Sequence, residues 1–201
     1  MIQIPSHIKG LIFDLDGTVA NTMQNHFTSW RKTVEPYGID FTEELFLALT
    51  GMSRIPTLKK LEEMFDVQFD IEEAARLKGE YFHEMSFTTQ KIDVVTDVID
   101  KYHGILPMSI GTGSSKNGAK HTLEVIGYDK YFDIVITADD VAQCKPHPET
   151  FLKCAELMGV DPKECIVFED GELGMIAARE VGMEVIDVND HFPIKFIKEE
   201  I

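Results

Sequence analysis

From about residue 92 to residue 188, short apolar runs alternate with segments of helical periodicity, and this constrains the fold more than any other feature. Residues 108–110, 134–136, 165–168 and 184–188 read as strands. Residues 94–102, 116–126, 148–158 and a segment ending at Val181 read as helices. Phe151, Leu152, Ala155 and Met158 recur at helical spacing, and Ile176, Ala177 and Val181 are expected to face inward. Strands separated by helices pair in parallel, so the expected class is α/β: a Rossmann-like, doubly wound parallel sheet. Ligands of such sheets bind beyond the carboxyl ends of the strands.

One further strand precedes this region. Ile8, Leu11, Ile12 and Phe13 form an apolar run too short for a helix and bounded by Gly17. Between it and residue 92 nothing resembles a strand. Phe27, Trp30 and Val34 mark a helix over 22–34, stopped by Glu35-Pro36-Tyr37-Gly38. A short helix over 42–49 ends at Gly51. Pro56 opens a third, with Leu58, Leu61, Met64 and Phe65 on one face. A fourth covers 71–87, with Ala74, Leu77, Tyr81 and Met85 as its apolar side. The chain therefore divides into a core, residues 1–19 and 90–201, and a helical insertion, residues 20–89. In the tail, 189–201, His191-Phe192-Pro193 reads as a turn followed by a short helix.

The residues able to carry chemistry stand at the ends of these strands. Asp14 and Asp16 follow the first, and in extended chain side chains two apart face the same way. Two carboxylates this close repel unless a cation neutralises them, and oxygen-only ligands suit Mg²⁺. Alone, Asp-x-Asp-Gly reads equally as a turn. Thr112, Gly113 and Ser114 lie where a strand feeds a helix, a phosphate seat or simply an N-cap with a glycine turn. Lys145, in Cys-Lys-Pro-His-Pro, is an inward-aimed point charge or a solvated lysine. Glu169 and Asp170 add two acids suited to Mg²⁺ and to holding Lys145, or form an acidic turn. The ordered set points to a phosphate monoester in one cleft. Asp14 would attack phosphorus, and Asp16 would protonate the leaving alcohol and later activate water.

A formal net charge of −16 disfavours nucleic acid as a partner, because phosphate backbones need a basic face. No apolar run is long enough to span a bilayer. Met-Ile-Gln-Ile-Pro has no signal-peptide character, so a cytoplasmic protein is expected. Cys144, Cys154 and Cys165 are too few and scattered for a disulfide framework or zinc site, and free thiols are expected. A small, acidic chain of this kind is expected to be a monomer.

This ordered motif set resembles the haloacid dehalogenase superfamily over essentially the whole chain. The resemblance implies a Rossmann-like core with a helical cap inserted after the first strand. It implies Asp14 as nucleophile, Asp16 as acid/base, and Thr112 and Lys145 on the phosphoryl group. Mg²⁺ would be held by Asp14, the Asp16 carbonyl and Asp170, with Glu169 in the paired-acid variant of the last motif. The second aspartate favours phosphoryl transfer over dehalogenation. Phe168-Glu169-Asp170, the position of His26, and Lys145-Pro146-His147-Pro148 are similar to the beta-phosphoglucomutase-like subgroup. Phosphatases of fructose 1-phosphate or 6-phosphogluconate resemble the chain at 102–104, 107–114, 151–159 and 167–188, and share its short tail. Beta-phosphoglucomutase resembles Gly51-Met52-Ser53-Arg54 and Ser115-Lys116-Asn117-Gly118. There Arg54 would grip the distal phosphate of a bisphosphate, and Lys78 matches another cap residue. The core segments and the tail favour the phosphatase, with a small phosphorylated sugar as substrate.

Overall fold

The structure is a computed structural model, and it describes residues 2–196. Five parallel strands form one sheet: β1 (Gly10–Phe13), β2 (Met108–Gly111), β3 (Val135–Ile136), β4 (Cys165–Glu169) and β5 (Glu184–Asp187). Their order is β3-β2-β1-β4-β5, so the first strand is central and flanked by β2 and β4. The register pairs Phe13 with Ile110 on one side and with Phe168 on the other, so three strand ends stop at one level.

Alternation along the strands feeds two apolar layers. Leu11, Phe13, Ile110, Ile166 and Phe168 pack on one face with Val95, Val98 and Ile99 of α5 (Asp93–Tyr102) and Ala119 and Leu123 of α6 (Lys116–Ile126). Ile12, Cys165 and Val167 pack on the other with Phe151, Cys154 and Ala155 of α7 (Glu149–Met158) and Ala177 and Ala178 of α8 (Glu172–Glu180). The α/β, Rossmann-like class is as the sequence predicts. Two details differ. Leu152 and Ile176 are exposed, since Phe151, Cys154 and Ala155 of α7 and Ala177 and Ala178 of α8 are the residues turned to the sheet.

Between β1 and α5 lie four α-helices, α1 (Met23–Val34), α2 (Glu43–Leu49), α3 (Arg54–Phe65) and α4 (Ile71–Ser86). They enclose their own apolar cluster, which includes Phe27, Trp30, Phe46, Leu58 and Leu61. Met64 and Phe65 do not join it: the cluster stops a turn earlier, and both are exposed. The inward stripe of α4 is also shifted from the expected one. Ala74, Lys78, Phe82 and Ser86 are buried at i,i+4 spacing, whereas Leu77, Tyr81 and Met85 are half-buried beside them. A lysine thus occupies a position that a hydrophobicity pattern assigns to the flank.

The tail starts with a 3-10 turn, Val188–Asp190, and continues without regular structure to residue 196. The expected helix has no counterpart in 193–196, and its remainder, 197–201, lies outside the described residues. All three cysteines are free, as expected. No helix among the described residues is long and apolar enough to cross a membrane.

Candidate active site

Asp14 stands one residue past the central strand, and its N–H donates to the Phe168 carbonyl at 2.9 Å, which fixes it against the end of β4. Lys145 arrives from the loop before α7 with its ammonium fully buried. Its Nζ donates to Asp14 Oδ1 at 2.6 Å and to Glu169 Oε1 at 2.7 Å, and lies 4.7 Å from the Phe151 ring centre. Burial alone would push this lysine down, but Asp14 and Glu169 outweigh it and hold its pKa above the ordinary value. Of the open readings, the inward-aimed cation is the one observed.

Glu169 works as a bracket. Its Oε2 accepts from the N–H groups of Asp170 and Gly171, at 2.7 and 2.8 Å, so the turn after β4 is clamped to Lys145. Asp170 accepts from the Thr18 hydroxyl at 3.3 Å through Oδ1, while its buried Oδ2 has no hydrogen-bond partner among the described residues. Burial and the neighbouring carboxylates raise the pKa of both Asp14 and Asp170 well above the usual range. Gly17 makes room here: at φ +86°, an added Cβ would lie 2.2 Å from Asp170 Oδ2.

These residues fit a hard divalent cation. Asp14, Glu169 and Asp170 bring oxygens within 4.8 Å of one another, with Lys145 as the ammonium bridging two of them. The orphaned Asp170 Oδ2 is the donor most in need of a partner. An all-oxygen set of this charge suits Mg²⁺.

Asp16 does not belong to that cluster. Its carboxylate turns toward the helices, where Oδ1 accepts from the Thr22 hydroxyl at 2.8 Å and Oδ2 from the Ser114 hydroxyl at 2.6 Å. His26 Nε2 lies 3.0 Å from Oδ1, at ion-pair distance but out of line for a hydrogen bond. Burial works against ionising Asp16, yet His26, Ser114 and Thr22 together hold its carboxyl well below the usual range. Thr112 braces the turn after β2. Its hydroxyl accepts from the Ser114 N–H at 3.0 Å, shaping the turn that exposes Gly113 and Ser114 to the cavity.

That cavity, about 650 Å³, lies between the sheet ends and the four helices. Asp14, Asp16, Asp170, Gly113 and Ser114 line one side; His26, Arg54 and Lys78 line the other. Lys78 Nζ is 2.6 Å from His26 Nδ1 and sits over the rings of Trp30 and Phe82, at 5.4 and 5.0 Å. Arg54 donates from Nη1 to the Ala75 carbonyl at 3.0 Å, passing where Gly79 has no side chain. The α2–α3 connection descends onto the turn after β2. A Cβ on Gly113 would meet the Gly51 carbonyl oxygen at 2.9 Å.

Sequence reasoning missed the hydroxyls of Thr18 and Thr22, which hold Asp170 and Asp16, and the contact of residues 50–52 with the core. Thr18 directly follows Asp-x-Asp-Gly, so its place next to that motif was a usable signal.

The haloacid dehalogenase-like hydrolase family matches residues 11–188. The chain belongs to this family. It is therefore a hydrolase by descent, as the motif order predicts. A fructose-1-phosphate phosphatase of Escherichia coli is 38% identical over 179 residues, covering 89% of this chain and 95% of that protein. A beta-phosphoglucomutase of Bacillus subtilis is 27% identical, covering 93% and 86%. Among solved structures, a beta-phosphoglucomutase from Clostridium difficile superposes with a TM-score of 0.81 at 25% identity, covering 96% and 91%.

Proposed function

We propose that this hydrolase is a Mg²⁺-dependent phosphatase of small sugar phosphates, of the fructose 1-phosphate or 6-phosphogluconate type, acting through an aspartyl-phosphate on Asp14. One observation carries the reading. Lys145 bridges Asp14 and Glu169 at the sheet end, while Asp16, two residues on, faces the cavity with a separate set of partners. Two aspartates in such different surroundings suit two different tasks.

In this reading Asp14 attacks phosphorus, and the sugar oxygen departs with the proton carried by Asp16. In the second half, Asp16 takes a proton from the water that attacks the aspartyl-phosphate, releasing phosphate and restoring Asp14. Lys145, the Thr112 hydroxyl, the Gly113 N–H and Ser114 bind the phosphoryl oxygens and offset their charge. Asp14, the Asp16 carbonyl and Asp170 would hold Mg²⁺, with Glu169 bracing them. When bound, the ion neutralises charge on the phosphoryl group. His26 stands between Asp16 and Lys78 and orients the carboxyl of Asp16. Residues 20–89 form the cap that excludes water during transfer, and the reading takes the protein as a cytoplasmic monomer.

The relative named fructose-1-phosphate phosphatase supports hydrolysis, with the higher identity. The relative named beta-phosphoglucomutase keeps a second reading in view, in which Arg54 on the cavity wall grips a distal phosphate. A panel of fructose 1-phosphate, 6-phosphogluconate and beta-glucose 1-phosphate separates them. Free phosphate as the main product supports the phosphatase. Glucose 6-phosphate with little free phosphate, lost in Arg54→Ala, supports the mutase.

A further inference from the structure

The tail beyond β5 touches both halves of the molecule. At its start, the Asn189 side-chain N–H donates to the Asp170 carbonyl at 2.7 Å, and Asp187 Oδ1 accepts from the Asn189 backbone and side chain at 2.9 and 3.0 Å. Seven residues on, Phe196 packs on two cap rings, Phe27 and Phe46, with centroids 5.2 and 5.8 Å away. Ile194 joins the same cap cluster. Between these ends, Pro193 and Ile194 share a small cavity with Leu47 and Thr50 of the cap and Gly171 and Met175 of the core.

We infer that residues 189–196 are a positioning strap, anchored beside Asp170 at one end and on the cap's aromatic cluster at the other. This deepens the proposed function and rests on it for the kinetic arm below. Phe46 lines the active-site cavity, and Phe41, which lies between Phe46 and Trp30, lines it as well. A ring held against Phe46 therefore fixes the cavity wall facing the acids. Proline in the middle of the segment limits its slack. The segment acts on substrate only through Phe27 and Phe46, so its members are positioning residues.

The test uses the full chain with Phe196→Ala, Pro193→Gly and the double variant. Pro193→Gly loosens the segment while leaving both anchors in place. Trp30 is the single tryptophan and sits in the wall at issue, so acrylamide quenching reads the wall without any substrate. The expected result is a severalfold rise in quenching and in KM for each single variant, with kcat little changed and partial rescue by Phe196→Leu. Cutting one strap twice adds nothing, so the double variant is no worse than Phe196→Ala, whereas independent sites would add their effects. The inference is overturned if quenching and KM stay at wild-type values while only thermal stability falls, or if the two substitutions multiply. Should the unaltered enzyme release phosphate from no sugar phosphate, the phosphatase reading fails. The quenching arm then still decides the strap.

Discussion

Lys78 Nζ lies 2.6 Å from His26 Nδ1, across the imidazole from Asp16, whose Oδ1 is 3.0 Å from Nε2. The ring is stacked on Phe82 at 4.2 Å, which fixes its plane. Burial and the nearby ammonium push His26 below its ordinary pKa, which favours the neutral imidazole between Lys78 and Asp16.

Lys78 itself is pushed down to about 7, by burial first and by Arg54 second. Unfolded, it keeps a value near 10.5. Between these two values the unfolded chain binds the extra proton, so the lysine's contribution to stability rises with pH there, and its cost is full below about 7. Lys78→Met is expected to be more stable than the unaltered chain at pH 6 by urea denaturation. That advantage should shrink as the pH rises toward 10.5. Phosphate release by the variant should fall by about 10²-fold, the lower end of acid–base contributions. A constant stability difference across pH would show that Lys78 is not a strained buried cation.

Lys145→Ala leaves Asp14 and Glu169 facing each other in a buried site. Loss of this partner is expected to lower kcat by about 10²–10³-fold and stability by about 3–5 kcal/mol. Stopped-time assays and denaturant melts measure the two separately. Unchanged kinetics would remove Lys145 from the site.

Asp170 Oδ2 has no hydrogen-bond partner among the described residues, and both Asp14 and Asp170 resist ionisation through burial and neighbouring carboxylates. A divalent ion binding there should stabilise the fold, by about 2.7 kcal/mol at a hundred times its Kd. The thermal midpoint is therefore expected to climb with Mg²⁺ and to stay flat in Asp170→Asn. An equal climb in both would place the ion elsewhere.

Gly113→Ala probes the approach of residues 50–52 to the turn after β2. The added methyl would meet the Gly51 carbonyl, a backbone atom that cannot swing aside. The expected result is a higher KM and lower kcat together, as for hinge and closure variants, with little change in melting temperature. Wild-type kinetics would mean that residues 50–52 do not need to sit this close for turnover.

Much of this site was readable before any coordinates. Asp14, Asp16, Lys145, Glu169 and Asp170 each sit at a strand end or in a loop beside one, and a parallel sheet gathers such ends by itself. The alternating strands and helices were legible because each core element buries a short, regular apolar pattern. The cap was less so. The buried stripe on α4 runs through Lys78 because Trp30 of α1 and Phe82 present rings to its ammonium, and a pairing between distant helices leaves no local trace. Asn189 was equally silent: its partner is a backbone carbonyl, which every residue has. Asp16 was placed correctly in sequence, but its split from Asp14 depends on hydroxyls of Thr22 and Ser114 that only the fold brings to it.

The most direct test of the account is Asp14→Asn with Mg²⁺ and the best sugar phosphate of the panel, followed as free phosphate. The substitution keeps the shape of the side chain and removes the nucleophilic carboxylate. The account predicts rapid phosphate release by the unaltered enzyme and none above background by the variant, with the fold intact by circular dichroism. Retained turnover in Asp14→Asn would contradict it, because no aspartyl-phosphate could then form at this position.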